Sequence, residues 1–165
     1  MTDAMGSMPK LLAMVRSIPK KLGYFDNVAG HEPLNAPGNG VHCYVWAGPT
    51  RFAAAESGLD SAALVVSFNV RVQLLAGGPK AKGVNLEDID RKLLHATGLL
   101  FDAFIGHFRL TDHAGTALVR RVDIFGSYGQ GMTMTPGYLN SDGSIYRVGV
   151  INLPLVLNDE YDEEE

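Results

Sequence analysis

Apolar residues recur at every third or fourth position in two stretches of this chain and at every second position in others, and that change of period divides it into elements. Leu11, Val15, Ile18 and Leu22 share one side of a helix that Ser7 can cap and Pro9 can start. Pro19 has no amide hydrogen and crowds the turn before it, so this helix is expected to end just ahead of it. Residues 23–40, interrupted by Gly23, Gly30, Pro33, Pro37, Gly38 and Gly40, read as irregular chain. A strand is predicted over 41–47, with His42, Tyr44 and Trp46 on one side and Val41, Cys43 and Val45 on the other, and a loop over 48–60. The clearest strand runs from about 63 to 75. Its Leu64, Val66, Phe68, Val70, Val72 and Leu74 alternate with Ser67, Asn69, Arg71 and Gln73, which predicts a sheet with one wet or contacted face.

Asn85 can cap a second helix, in which Leu86, Ile89, Leu93, Ala96, Leu100 and Phe104 keep steps of three or four. Strands are expected again around 117–125 and 144–157. Between them, residues 126–142 read as loop and end in the hairpin signal Ser-Asp-Gly-Ser at 141–144. Pro154 would cost a central strand a ladder hydrogen bond, so it predicts an edge or a strand end there. The resulting fold class is α+β: a mixed, largely antiparallel β-sheet flanked by two main α-helices.

Composition adds limits. A chain of 165 residues with 46% hydrophobic and 19% charged residues fits one globular domain, placed at 1–157, followed by an acidic tail at 158–165. That tail carries six acids. Setting them aside from the formal charge of −4 leaves +2 on the rest, so the body is near neutral. The single cysteine excludes an internal disulfide framework. Lys10, Arg16, Pro19, Lys20 and Lys21 break the first apolar run, unlike a secretory signal, and no stretch approaches the roughly 20 apolar residues of a membrane span. A soluble protein made in the cytoplasm is expected.

Candidate chemistry is sparse. The glycines before Val41 lack the Gly-Lys-Ser/Thr and the following helix of a phosphate cradle. Cys43 and His42 are adjacent in a strand and so point to opposite faces, which keeps this imidazole from activating this thiol. His95, His107 and His113, with Asp102 and Asp112, match no metal-ligand spacing. "GSYGQG" at 126–131 lacks the helix of a dinucleotide site. Arg109, Arg120 and Arg121 make too small a basic group for nucleic-acid recognition. No catalytic, metal or cofactor-binding residue is assigned.

Taken together, "HEPLNAPGNG", "VRRVDIFGSYGQG" and "GYLNSDGSIYRV", in the order described, closely resemble the tail terminator proteins of long-tailed (siphovirus-type) actinobacteriophages. The likeness spans residues 9–159. It departs from a plain version in "GTALVRR" and in the terminal glutamates. The resemblance implies a structural virion protein at the tail-neck junction, not an enzyme and without a cofactor. It implies a homo-oligomeric ring, usually of six subunits, that stops polymerisation of the tail tube and offers its other face to the head-to-tail connector, while genomic DNA passes through the lumen without sequence-specific binding. Another neck component, a stopper or head-completion protein, is the alternative.

A repeating ring contact needs ordered loops with residues suited to interfaces. His31, Asn35, Asn39, Arg51, Phe52, Tyr128, Met132 and Met134 are the candidate interface residues, and Tyr138 is divided evenly between interface and core. Asn69, Arg71 and Gln73 are the candidate lumen-facing residues, since weak polar contacts suit a sliding polymer better than a strongly basic grip. The acidic tail is expected near the channel or the connector face.

Overall fold

The computed structural model describes residues 8–33, 38–52, 61–106, 119, 121–127 and 129–160. In chain order its elements are α1 (Met8–Leu22), β1 (Asn27–Ala29), β2 (Val41–Phe52), β3 (Ser61–Gly77), α2 (Leu86–Gly106), β4 (Arg121–Val122), β5 (Thr133–Ser141) and β6 (Ser144–Glu160). The six strands form one sheet in the order β1-β2-β3-β6-β4, with β5 also pairing β6. Among the described strands only the β1–β2 pair is parallel. Two helices on a curled mixed sheet make this an α+β fold, as the alternation of periods predicts.

The long strand β3 organises the core. Leu64, Val66, Phe68, Val70, Val72 and Leu74 meet Leu11 and Val15 of α1 and Leu93, Leu100 and Phe104 of α2 in one cluster. Each such side chain contributes about 1.5–3 kcal/mol on burial. Gly149 of β6 lets α2 lie close: a Cβ there would stand 3.2 Å from both Leu93 and Thr97 and 3.3 Å from Met134. Asn85 caps α2, its Oδ1 accepting from the amides of Glu87 at 3.0 Å and Asp88 at 3.4 Å.

Several expectations about element bounds are corrected, the first being that residues 27–29, inside the stretch read as irregular chain, form β1 against β2. The first helix runs through Pro19 to Leu22, because Pro19 is buried with Leu11, Val15 and Ile18, and that packing offsets one lost hydrogen bond in the last turn. Strand β2 continues past 47 to Phe52, absorbing Gly48 and Pro49 in an irregularity between Ala47 and Thr50. Residues 133–141, read as loop, form β5 and join β6 through a two-residue turn in which Asp142 has φ 50° and Gly143 φ 77°.

Pro154 lies within β6, a central strand. On the far side of β6 the partner changes at this point: Thr133 of β5 pairs Asn152, and Val122 of β4 pairs Leu155. The missing amide falls in the gap between two ladders, while the Pro154 carbonyl accepts from the Asp123 amide at 2.9 Å. Of the strand expected over 117–125, Arg121–Val122 form β4, residues 123–125 leave the strand for a turn, which corrects the expected end at Phe125, and residues 117, 118 and 120 lie outside the described residues.

Candidate assembly interface

Between β4 and β5 the chain folds on itself to hold one aromatic ring in solvent. Val119, Val122 and Asp123 are buried, and the Asp123 carboxylate accepts from the Ser127 amide at 2.8 Å. The Met132 amide donates to the Ile124 carbonyl at 3.0 Å, closing the loop at its base. Gly126, with φ 75°, approaches Gly129 and Gly131 so closely that a Cβ would lie 2.4 Å from the Gly129 carbonyl oxygen. At the tip Phe125 is 95% exposed. The Phe125 ring thus belongs to the surface of the turn and not to the core.

The face of the sheet away from the helices curls into a trough. Asn69 of β3 and Asn152 of β6 stand opposite each other, and with Pro49, Thr133, Thr135 and Val150 they line a groove of about 390 Å³. Pro49 of β2 and Pro136 of β5 line this one groove although β3 and β6 separate their strands, which measures the curl. The Asn152 side-chain amide donates to the Gly131 carbonyl at 3.0 Å, fixing the turn to the groove floor. Among the described residues, none that lines the groove carries a charged side chain.

Deeper in the trough the polar residues of β2 and β3 are covered by other parts of the chain. Gln73 is 1% exposed, and neither its Oε1 nor its Nε2 has a hydrogen-bond partner. Arg71 is 7% exposed, donates from Nη1 to Glu32 Oε1 at 3.1 Å, and lies over the rings of Trp46 and Tyr44. His42 donates from Nε2 to the carbonyls of Gly38 and Asn39, both at 3.1 Å, tying the irregular segment onto β2. Burial raises the Tyr44 phenol above its ordinary value, opposed by a hydrogen bond with Asn27 and by the Arg71 charge.

On the helix side, α2 and the overhang of β5 and β6 expose a second apolar surface. Leu86, Leu94, Tyr138 and Ile145 are all exposed, around the Arg147–Asp90 pair. The Arg147 guanidinium lies 4.6 Å from the Tyr138 ring centroid.

The predicted interface residues do not converge. His31 and Asn39 are exposed on the segment before β2, and the His31 ring lies 3.0 Å from the Glu32 carbonyl. Arg51 is half-buried, its guanidinium against Gly129, with Nε and Nη2 buried and unpartnered. Phe52 is the last residue of β2. Met132 belongs to the core cluster and Met134 packs against it, because β5 continues the sheet where a loop was expected. Tyr138 is exposed. Asn35 and Tyr128 lie outside the described residues.

Of the lumen-facing set, Asn69 lines the open groove, while Arg71 and Gln73 are enclosed by the curl of the sheet, which a flat alternation pattern does not anticipate. Phe125 was missed by sequence reasoning, which made it the end of a strand. The available signal was three glycines within the six residues after it, a density that permits a sharp reversal.

Reactive chemistry does not gather at any of these places. Cys43 is buried and desolvation pushes its thiol up to about 12, so it is a packing residue at neutral pH. Among the described residues no three His, Cys, Asp or Glu side chains cluster as metal ligands, and neither helix is long and apolar enough to cross a membrane. His107, His113 and Asp112 lie outside the described residues, and His95 meets the Tyr24 ring edge-on at 5.1 Å. Compared with known proteins, the chain matches no family model and no curated protein.

Proposed function

We propose that this chain is a structural virion protein that forms a ring, of six subunits by resemblance, at the head-proximal end of a phage tail tube. There it stops tube polymerisation and provides the joint to the head-to-tail connector, with DNA passing through the ring. The observation that carries this reading is the turn built from "VDIFGSYGQG", a segment on which the resemblance rests. Buried Val122 and Asp123 and the positive φ of Gly126 and Gly129 there combine to expose Phe125 almost completely. That geometry suits a subunit that completes its surface against a neighbour. The groove lined by Asn69 and Asn152, uncharged among the described residues, is compatible with a passage that does not grip a polyanion.

The test is to mix the purified chain with self-assembling tail tube subunits and to measure tube length and end occupancy by electron microscopy. Short tubes with a ring at one end are expected. Tubes of unchanged length with bare ends would overturn the reading and favour a stopper or head-completion role on the connector side. A phage lacking the protein separates these readings independently, because loss of a terminator gives overlong tubes and loss of a stopper gives normal free tails.

A further inference from the structure

We propose that Asn39 is a site of spontaneous covalent modification: its side chain closes on the Gly40 backbone nitrogen and opens to aspartate or isoaspartate, assisted by His42. The proposal concerns the chain by itself and does not rest on the tube-capping reading.

An asparagine is converted when the backbone nitrogen of the next residue reaches its carboxamide, and a Cβ on that next residue obstructs the approach. Of the eight asparagines in the chain, Asn39 alone precedes a glycine. Asn39 is exposed, so water has access. Gly40 has φ 110°, and among the described residues its amide makes no hydrogen bond that would first have to break. Other asparagines are worse placed. Asn140, before the small Ser141, is held with it in the β5–β6 ladder. Asn27 precedes the β-branched Val28 and hydrogen-bonds Tyr44, and Asn85 precedes Leu86 with its Oδ1 engaged by two amides.

His42 supplies the second element. Its Nε2 lies 3.1 Å from the carbonyl oxygens of both Gly38 and Asn39, and its ring is buried. A carbonyl oxygen only accepts, so Nε2 carries the hydrogen. The Asn39 carbonyl and the Gly40 nitrogen belong to one peptide group, whose resonance joins them. When hydroxide takes the Gly40 amide proton, the negative charge spreads from that nitrogen to the Asn39 oxygen, where the donor already stands. A hydrogen bond that strengthens as charge develops lowers the barrier to the step that develops it.

The Gly40 nitrogen then attacks Cγ of Asn39. The N–Cγ bond forms, the Cγ–Nδ2 bond breaks, and Nδ2 leaves as ammonia with a proton from water. Water opens the resulting five-membered imide at either carbonyl, giving aspartate or isoaspartate, and no oxidant or reductant takes part. Either product adds a carboxylate at the entry to β2, close to Asp26, whose Oδ2 would stand 2.6 Å from a Cβ built on Gly40. In isoaspartate the carbonyl that His42 holds becomes the free carboxylate. The main chain also gains a methylene, just ahead of the two Asp26–Val41 hydrogen bonds at the start of β2.

The experiment ages the full chain in mildly alkaline buffer, digests it with trypsin, and follows the peptide between Lys21 and Arg51 by mass spectrometry. Electron-transfer fragmentation locates the change and tells isoaspartate from aspartate. Conversion at Asn39 is expected ahead of every other asparagine, with isoaspartate present as the mark of the imide, and Asn39→Gln should abolish it. The folded chain should convert faster than the same chain unfolded in urea. Folded His42→Phe should convert about tenfold more slowly than the parent, whereas the two unfolded chains react at one rate. An Asn39 that keeps its amide while other asparagines convert, or aspartate without isoaspartate, would overturn the site. A folded parent that converts no faster than the unfolded one would overturn the role of His42, even where His42→Phe does not fold. Tube capping is read separately, so either idea can fail without the other.

Discussion

Arg147 of β6 donates from Nε to the Asp90 carboxylate of α2 at 2.8 Å and from Nη1 to the Gly137 carbonyl of β5 at 3.0 Å. One side chain thus ties the longer helix to an outer strand. Arg147 is mostly covered while Asp90 is half exposed, so solvent screens the ion pair and the carbonyl bond and ring contact add to it. We predict that Arg147→Met costs about 1–3 kcal/mol and Asp90→Asn at most about 1 kcal/mol in urea denaturation. Equal losses would mean that the pair alone accounts for the tie.

Gly149 makes a complementary prediction on the same seat of α2. Its missing Cβ is replaced by close approach of Leu93, Thr97 and Met134. Gly149→Val is expected to cost about 1–3 kcal/mol through displacement of the helix, with Gly149→Ala at the lower end. Thermal unfolding of both variants measures it, and an unchanged midpoint for Gly149→Val would show that the helix seat is not close-packed.

Gln73 is a buried amide with neither polar atom partnered, which costs stability. Removing both polar groups at constant shape should therefore help. We predict that Gln73→Met raises stability by about 1–2 kcal/mol. A loss instead would point to a buried water completing the amide.

Much of this architecture was legible in the alternation of residues, and what was not legible has physical causes. The face formed by Leu64 through Leu74 and the stripe from Leu93 to Phe104 could be read because each buries one side against the other. Strand β5 escaped because Pro136 and Gly137 interrupt its period and, among the described strands, it pairs with β6 alone. Pro154 misled because its tolerance depends on where β5 stops and β4 starts, a tertiary fact. The enclosure of Arg71 and Gln73 follows from curl, which periodicity does not encode. Phe125 escaped for a related reason: its exposure is set by contacts among Asp123, Ile124, Gly126 and Met132, not by its own type.

Cys43 offers a test of burial by pH. The unfolded thiol ionises near 9.0, whereas the folded one keeps its proton until about 12. Between those values the unfolded chain releases a proton that the folded chain retains, so rising pH favours unfolding, by about 1.4 kcal/mol per pH unit. Cys43→Ala should remove this part of the alkaline slope. In the folded protein at pH 8 the thiol is expected to resist a disulfide reagent and to react once urea unfolds the chain. Rapid reaction without denaturant would place it at an accessible surface.

Phe125 separates assembly from folding. Its ring is 95% exposed, so it contributes little to the isolated subunit, and Phe125→Ser should alter stability by less than about 0.5 kcal/mol. If the turn exists to present that ring to a neighbour, the same change should sharply reduce ring formation at tube ends while circular dichroism and the unfolding midpoint stay as in the parent. Gly126→Val provides the contrast: its side chain would collide with the Gly129 carbonyl at a positive φ, so both the turn and assembly should be lost. Normal end capping by Phe125→Ser would leave the exposed ring without a role in the ring and would move the search for the contact to the surface around Leu94 and Tyr138.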